Sequence, residues 1–306
     1  IGTVTVTFNY RYNPVHEEVK RRLAAGDIGT VGSVHFEWLL DVRHGADYFR
    51  RWHRQKANSG GLLVHKSGHH FDLVNWWLAA TPELVFAQGR LFFYGPEAGA
   101  THGHHEAPFA LDLAAHPRLR ELYLEPARYD GYRRDLSVFA PGVNIEDDLA
   151  VLVRYDNGAT MTYHLTAYAP WEGYRLMVNG SRGRLELEVV ESDHVSPTGS
   201  SHVKGAALHG AQAPPEEGHA RLTIHPYWTR PTEVELPPRP RTGHGGADAR
   251  MADTLFGHSS TVDPLRRSAR AVDGARALLV GLAANASLES GQPVRPADLL
   301  DLKEDS

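Results

Sequence analysis

Between residues 147 and 190 the chain passes through four strand-like segments in close succession, at 147–155, 159–168, 174–179 and 184–190. Asp156-Asn157-Gly158 separates the first two. Asn-Gly is the dipeptide whose left-handed backbone suits a tight hairpin, so these two strands should pair antiparallel. A cluster of strands this dense must share one sheet, and that sheet needs an apolar layer against at least one face. Further strand-like runs occur at 3–8, 31–42, 84–94, 221–226 and 232–236. Helical spacing of apolar residues appears at 15–25, with Pro14 suited to the first helical position and Gly26 to the stop. It recurs at 59–77, near 246–256 and over 263–290. Strands grouped together with helices at both ends predict an α+β fold, a large, mostly antiparallel sheet with helices packed on one face. The basic, aromatic stretch 43–58 shows no clear period and reads as a loop. Residues 95–145 read as a long excursion with short helices, and 191–220, rich in Gly, Pro and His, as a polar loop.

Composition narrows the function. With no cysteine, the 306-residue chain can carry no disulfide, thiol nucleophile or Cys-ligated metal. A net charge of −5 gives no reason to expect nucleic acid or anionic membrane as a partner. No apolar run is long enough to span a bilayer, and no secretory signal pattern occurs, so a cytoplasmic protein is expected. The chain opens directly on a strand-like run without an initiator methionine, which is read as a cut with a domain upstream.

The segment SGGLLVHKSGHHFDLVNWW at 59–77 holds the densest chemistry. On one continuous helix His65, His69 and Asp72 would fall on one stripe, with His70 and Lys66 turned partly away. Titratable groups beside apolar walls cost desolvation energy, which points to use as an acid/base site. A metal site is the rival. Zinc chemistry of the His-Glu-x-x-His kind needs a glutamate where Lys66 stands, so no metal is expected. The THGHHE run at 101–106 reads as a polar surface loop.

Three stretches, in order, resemble the Gfo/Idh/MocA oxidoreductase family. VTVTFNYRYNPVHEEVKRRLAAGDIGTVGSV is similar to that family's exit from its nucleotide-binding domain. SGGLLVHKSGHHFDLVNWWL resembles its G-G-x-L-x-D-x-G-x-H-x-x-D-L-x-x-W-L helix, and RYDNGATMTYHL with VNGSRGRLELE its later strands. The likeness extends through SLESGQPVRPADLL to residue 300. It implies that residues 1–12 are the last strand and exit turn of a Rossmann domain otherwise absent, and that 13–306 are a C-terminal domain for substrate binding and dimerisation. Neither G-x-G-x-x-G nor Glu-Lys-Pro occurs, so tight dinucleotide binding and activity are not expected of this piece alone.

By the same resemblance His69 falls on the catalytic histidine, which carries the alcohol proton while hydride moves to NAD or NADP. His65, the second catalytic candidate, stands where the family has aspartate, and Ser67 where it has glycine. Asp72 matches a family aspartate and is a substrate-binding candidate. Asn9 and Arg11 lie in the turn that approaches the cofactor, although Arg11 paired with a local carboxylate is an equal reading. Lys66, Tyr168, Trp171, His244 and Asp248 are further substrate-binding candidates. Tyr168 and Trp171 offer aromatic faces, and His244 with Asp248 lies in a GHGGAD loop similar to one in the family's NAD-dependent glycosidases. The expected substrate is a sugar, glycoside or polyol, and the expected assembly a homodimer or homotetramer through the open sheet face. Alternatives are a redox-neutral glycosidase or lyase, a non-catalytic scaffold, and a metallohydrolase.

Overall fold

The computed structural model describes residues 4–103, 108–195, 218–238, 243–257 and 263–302. In chain order the elements begin with β1 (Thr5–Val6), a 3₁₀ turn (Asn9–Tyr12), α1 (Pro14–Ala25), β2 (Val31–Asp41), α2 (Val42–Phe49), a 3₁₀ turn (Trp52–Arg54), α3 (Lys56–Ser59), α4 (Gly61–His65), α5 (Gly68–Leu78) and β3 (Pro82–Arg90). The excursion carries α6 (Gly95–His102), α7 (Pro117–Leu119), one π-helical turn (Arg120–Leu124) and α8 (Ala127–Asp130). Strands β4 (Asp148–Tyr155), β5 (Thr160–Ala169), β6 (Glu172–Gly180), β7 (Gly183–Ser192), β8 (His219–Pro226) and β9 (Thr232–Val234) follow. The chain closes with α9 (Gly243–Phe256), β10 (Ala269–Arg270), α10 (Ala271–Ser290) and α11 (Pro296–Leu299).

Eight strands form one sheet in the order β3-β4-β5-β2-β6-β7-β8-β9. Every neighbouring pair is antiparallel except β2 with β5, so the sheet is mostly antiparallel as expected. Strict alternation places Met161, Tyr163, Leu165 and Ala167 of β5 inward while Thr160, Thr162 and His164 face outward. Inward residues of β2, β4, β6 and β7 join them beneath α1, α2, α5 and α10. The β4–β5 hairpin closes on Gly158, whose φ of 83° requires the conformational freedom of glycine. Helix α2 meets β5 so closely that a Cβ on Gly45 would lie 1.6 Å from the Ala167 carbonyl oxygen.

Several expectations need correction. Of the strand expected at 3–8, residue 3 lies outside the described residues and 4–8 form no buried strand: Thr5–Val6 pair with Ala269–Arg270, and the exposed Val4 and Thr5 lie outside the main sheet. Residues 43–58 are largely helical. Asp41 caps α2 by accepting from the Arg43 and His44 amides, and Ala46 and Phe49 turn into the core, while basic and aromatic neighbours obscure the period. The segment 59–77 is two helices, broken at Lys66–Ser67. At 263–268 the chain is a turn, because Asp263 accepts from the amides of Arg267 and Ser268 and Pro264 interrupts; the helix starts at Ala271. Most of the 191–220 stretch and part of the PPRPR run lie outside the described residues.

Candidate active site

The helix break decides where the histidines go. At Ser67 the backbone leaves α4, and its buried hydroxyl meets Tyr163 Oη at 2.9 Å. Tyr163 Oη also lies 2.7 Å from His70 Nδ1. His70, expected to turn partly away, is fully buried and stacks on Trp38 at 3.8 Å; burial presses its pKa well below the usual imidazole value. With this network fixed, His69 emerges on the other side of the helix. His65, before the break, points elsewhere.

His69 packs against Tyr10 (ring centroids 5.2 Å apart) and edge-on to Phe8 (5.5 Å). Its Nδ1 is buried with no hydrogen-bond partner. Desolvation first, then the charge of Lys66, lowers its pKa to about 4, with Asp248 pulling weakly the other way. The imidazole is therefore neutral at physiological pH. Lys66 lies over Trp38 (5.5 Å) and Tyr10 (5.9 Å), which holds its ammonium beside the site by cation–π attraction.

Across Tyr10 stands a second imidazole. His244, Gly245 and Gly246 all adopt left-handed backbone, with φ of 50°, 70° and 83°. For the histidine this costs on the order of 1–2 kcal/mol. The turn is secured by Asn13, whose Nδ2 donates to the His244 carbonyl (3.1 Å) and whose Oδ1 caps α1 through Val15. It brings the His244 ring to 5.7 Å from Tyr10 and its Nδ1 to 2.9 Å from Asp248 Oδ2. Asn9 Nδ2 donates to Asp248 Oδ1 at 2.7 Å. Partial burial raises the Asp248 pKa, but the hydrogen bonds from Asn9 and His244 outweigh it and leave the carboxyl below its usual range. His69, His244 and Lys66 thus surround the Tyr10 ring, with Asn9 and Asp248 behind His244; the sequence alone does not single out Tyr10.

The other candidates are distributed differently. Arg11 and Asp72 form a buried two-pronged ion pair, Nε to Oδ2 at 2.8 Å and Nη2 to Oδ1 at 2.5 Å. Nη1 donates to the Arg266 carbonyl (3.3 Å), so all three nitrogens of the guanidinium are engaged within the chain. Burial raises the Asp72 pKa to about 6 against the pull of Arg11, which leaves it ionised at neutral pH. Tyr168 stacks on Phe93 (5.3 Å), and Trp171 lies beneath Arg175 (5.3 Å); neither ring contact is with the His69 cluster. His65 packs on His53 at 4.0 Å and edge-on to Tyr48 at 5.6 Å. Desolvation and the Arg51 and Lys66 charges shift its pKa downward, in a ring that water still reaches.

Among the described residues no three His, Asp or Glu side chains converge on a point that could hold a metal ion. Of the 101–106 run, His104, His105 and Glu106 lie outside the described residues, while His102 rests on Phe92. For a nicotinamide, Asn9 is the better fitted of the two turn residues: its Oδ1 is buried without a partner and could accept from an amide, whereas Arg11 is buried and paired with Asp72. No helix among the described residues is long and apolar enough to cross a membrane.

Residues 20–295 match the model of an oxidoreductase family's C-terminal alpha/beta domain, Gfo/Idh/MocA. A Bacillus subtilis (strain 168) protein named as an oxidoreductase, YteT, is 35% identical over 325 residues, covering 99% of this chain and 71% of its own length. Among solved structures, an NAD binding oxidoreductase from Klebsiella pneumoniae superposes with a TM-score of 0.60 at 13% identity, over 96% of this chain and 66% of that one. An aldose-aldose oxidoreductase from Caulobacter crescentus, complexed with glycerol, gives 0.55 at 14% identity, over 96% and 64%. The chain therefore spans just under two thirds of the solved structures it resembles.

Proposed function

The chain belongs to the Gfo/Idh/MocA oxidoreductase family, and from that premise we propose that it is the substrate domain of an NAD- or NADP-dependent enzyme oxidising a hydroxyl of a sugar, glycoside or polyol. In this reading residues 1–12 complete a nucleotide-binding domain and 13–306 carry substrate binding and self-association. The observation that carries it is His69: a neutral imidazole, partly exposed, walled by aromatic rings and placed beside an ammonium and a second histidine. That YteT is longer than this chain, and that solved relatives bind NAD and glycerol by their own descriptions, supports the larger frame.

When bound, the nicotinamide supplies the hydride acceptor. The chain's own residues handle the proton. Neutral His69 takes it from the substrate hydroxyl as the C–H bond breaks. Because Nδ1 has no acceptor behind it and Lys66 is close, the imidazolium is disfavoured and must pass its proton on quickly. His244, held by Asp248 on the same Tyr10 ring, is placed to orient a second hydroxyl. Arg11 and Asp72 act as a clamp between the Asn9 turn and α5.

The same second imidazole favours a redox-neutral variant, in which transient oxidation acidifies the adjacent C–H and a leaving group is eliminated. Self-association through the open sheet face is supported by its partly apolar surface, where Phe86, Ala150, Leu152 and Met177 line a shallow groove. The test is the full-length protein with NAD⁺ or NADP⁺ and a panel of sugars and glycosides. Net reduced nicotinamide supports oxidation; leaving-group release without it supports elimination; neither product, with any member of the panel, overturns both.

A further inference from the structure

Trp52 is 41% exposed although its neighbours His53 and Arg54 are buried. The turn beneath it is immobilised: Arg54 donates to the carbonyls of Ser137 (3.1 Å), Ala140 (2.8 Å) and Pro141 (3.1 Å), and Arg51 Nε donates to the Asp47 carbonyl (2.9 Å). A large apolar face is thus presented to solvent on rigid backbone, so binding to it forfeits little conformational entropy. Trp52 lies against His53 (4.0 Å) and edge-on to His65 (6.3 Å), and His65 meets Tyr48 (5.6 Å). From His65 the adjacent Lys66 leads to the Tyr10 ring and so to His69, whose protonation His65 and Lys66 both oppose. Behind Tyr48, His44 stacks at 5.6 Å with its Nδ1 2.8 Å from the buried carboxylate of Glu172. Its Nε2 lies 3.4 Å from the Tyr48 hydroxyl, so the His44–Tyr48 pair braces the turn from behind.

A pyranose has apolar C–H faces and a polar equator, and sites that hold one pair an aromatic plate with hydrogen-bonding groups at its edge. We propose that Trp52, with the exposed His65 at its margin, forms a second sugar subsite next to the His69 cluster. The substrate is then a glycoside or oligosaccharide whose neighbouring ring stacks on Trp52. This rests on the reading that His69 takes the proton of a sugar hydroxyl, and it assigns His65 to substrate recognition instead of proton transfer.

Binding of glucose and galactose, compared with maltose, cellobiose and lactose, can be measured by calorimetry on the full protein without cofactor. At least one disaccharide is expected to bind about tenfold tighter than its monosaccharide. Trp52→Ala should abolish that difference and Trp52→Phe should keep most of it, with monosaccharide affinity within about twofold in both. Equal thermal midpoints would show that the variants fold. A panel in which no disaccharide outbinds its monosaccharide, or a difference that survives Trp52→Ala, overturns the subsite. Because binding is read without turnover, a Trp52-dependent preference in a protein that never reduces NAD⁺ or NADP⁺ would count against hydride transfer alone.

Discussion

Replacing Asp72 with asparagine removes one partner of an ion pair in which Arg11 is 4% exposed and Asp72 1%. The introduced amide would still accept one of the two guanidinium hydrogen bonds through its oxygen, but its N–H₂ would face the other donor. The guanidinium would keep its charge in a site walled by Phe8 and Trp76, each 5.9 Å away. Stranding one charge of a buried pair costs about 3–5 kcal/mol. For a chain of this size that lowers the thermal midpoint by roughly 5–8 °C. Replacing both residues, as Arg11→Met with Asp72→Leu, removes both charges and strands only the Arg266 carbonyl that Nη1 now satisfies, a loss of about 1 kcal/mol. Calorimetric melting should therefore rank wild type and the double variant close together, with Asp72→Asn well below. A single variant melting within about 1 °C of wild type, or a double variant no better than the single, would refute the clamp.

Other outcomes follow from the same geometry. His53, His69 and His70 have pKa values lowered by burial, to about 3 and 4 for the first two. The folded state then binds fewer protons than the unfolded state, whose imidazoles titrate near 6.5, so stability is full above about pH 6.5 and is lost as pH falls toward 4. Urea titrations at pH 7 and pH 5 should show this loss, and His70→Asn should reduce it by up to about 1.4 kcal/mol per pH unit; a flat profile would contradict the buried neutral assignment. Tyr163→Phe leaves both the Ser67 hydroxyl and His70 Nδ1 without their partner and should cost about 2–3 kcal/mol in denaturant unfolding. Gly45→Ala should prevent soluble expression, because its methyl group has no space beneath the Ala167 carbonyl.

The parts of the fold that local chemistry fixes were legible in the sequence. Pro14 and Gly26 bracket α1, where Gly26 has φ of 74°, and the Asn157-Gly158 turn joins two strands that pair antiparallel as expected. What sequence alone did not disclose depended on distant partners. The break at Ser67 is tied to a hydroxyl on β5, ninety-six residues later, and without it the stripe of His65, His69 and Asp72 looks continuous. Helix α2 was hidden because its core face is only a few residues wide among basic and aromatic neighbours. Trp52 and Tyr48 went unnoticed for the same reason, their segment having been assigned to a loop. The juxtaposition of His244 with His69 rests on three consecutive left-handed residues, of which only the two glycines leave a local signal.

The most direct measurement is steady-state turnover of the best sugar or glycoside by the full-length protein and its His69→Asn variant, with substrate binding determined alongside. Loss of a positioned general base should lower kcat by about 10²–10⁴-fold while substrate affinity stays within a few-fold. A variant that turns over at the wild-type rate would contradict the assignment of His69 as the proton carrier.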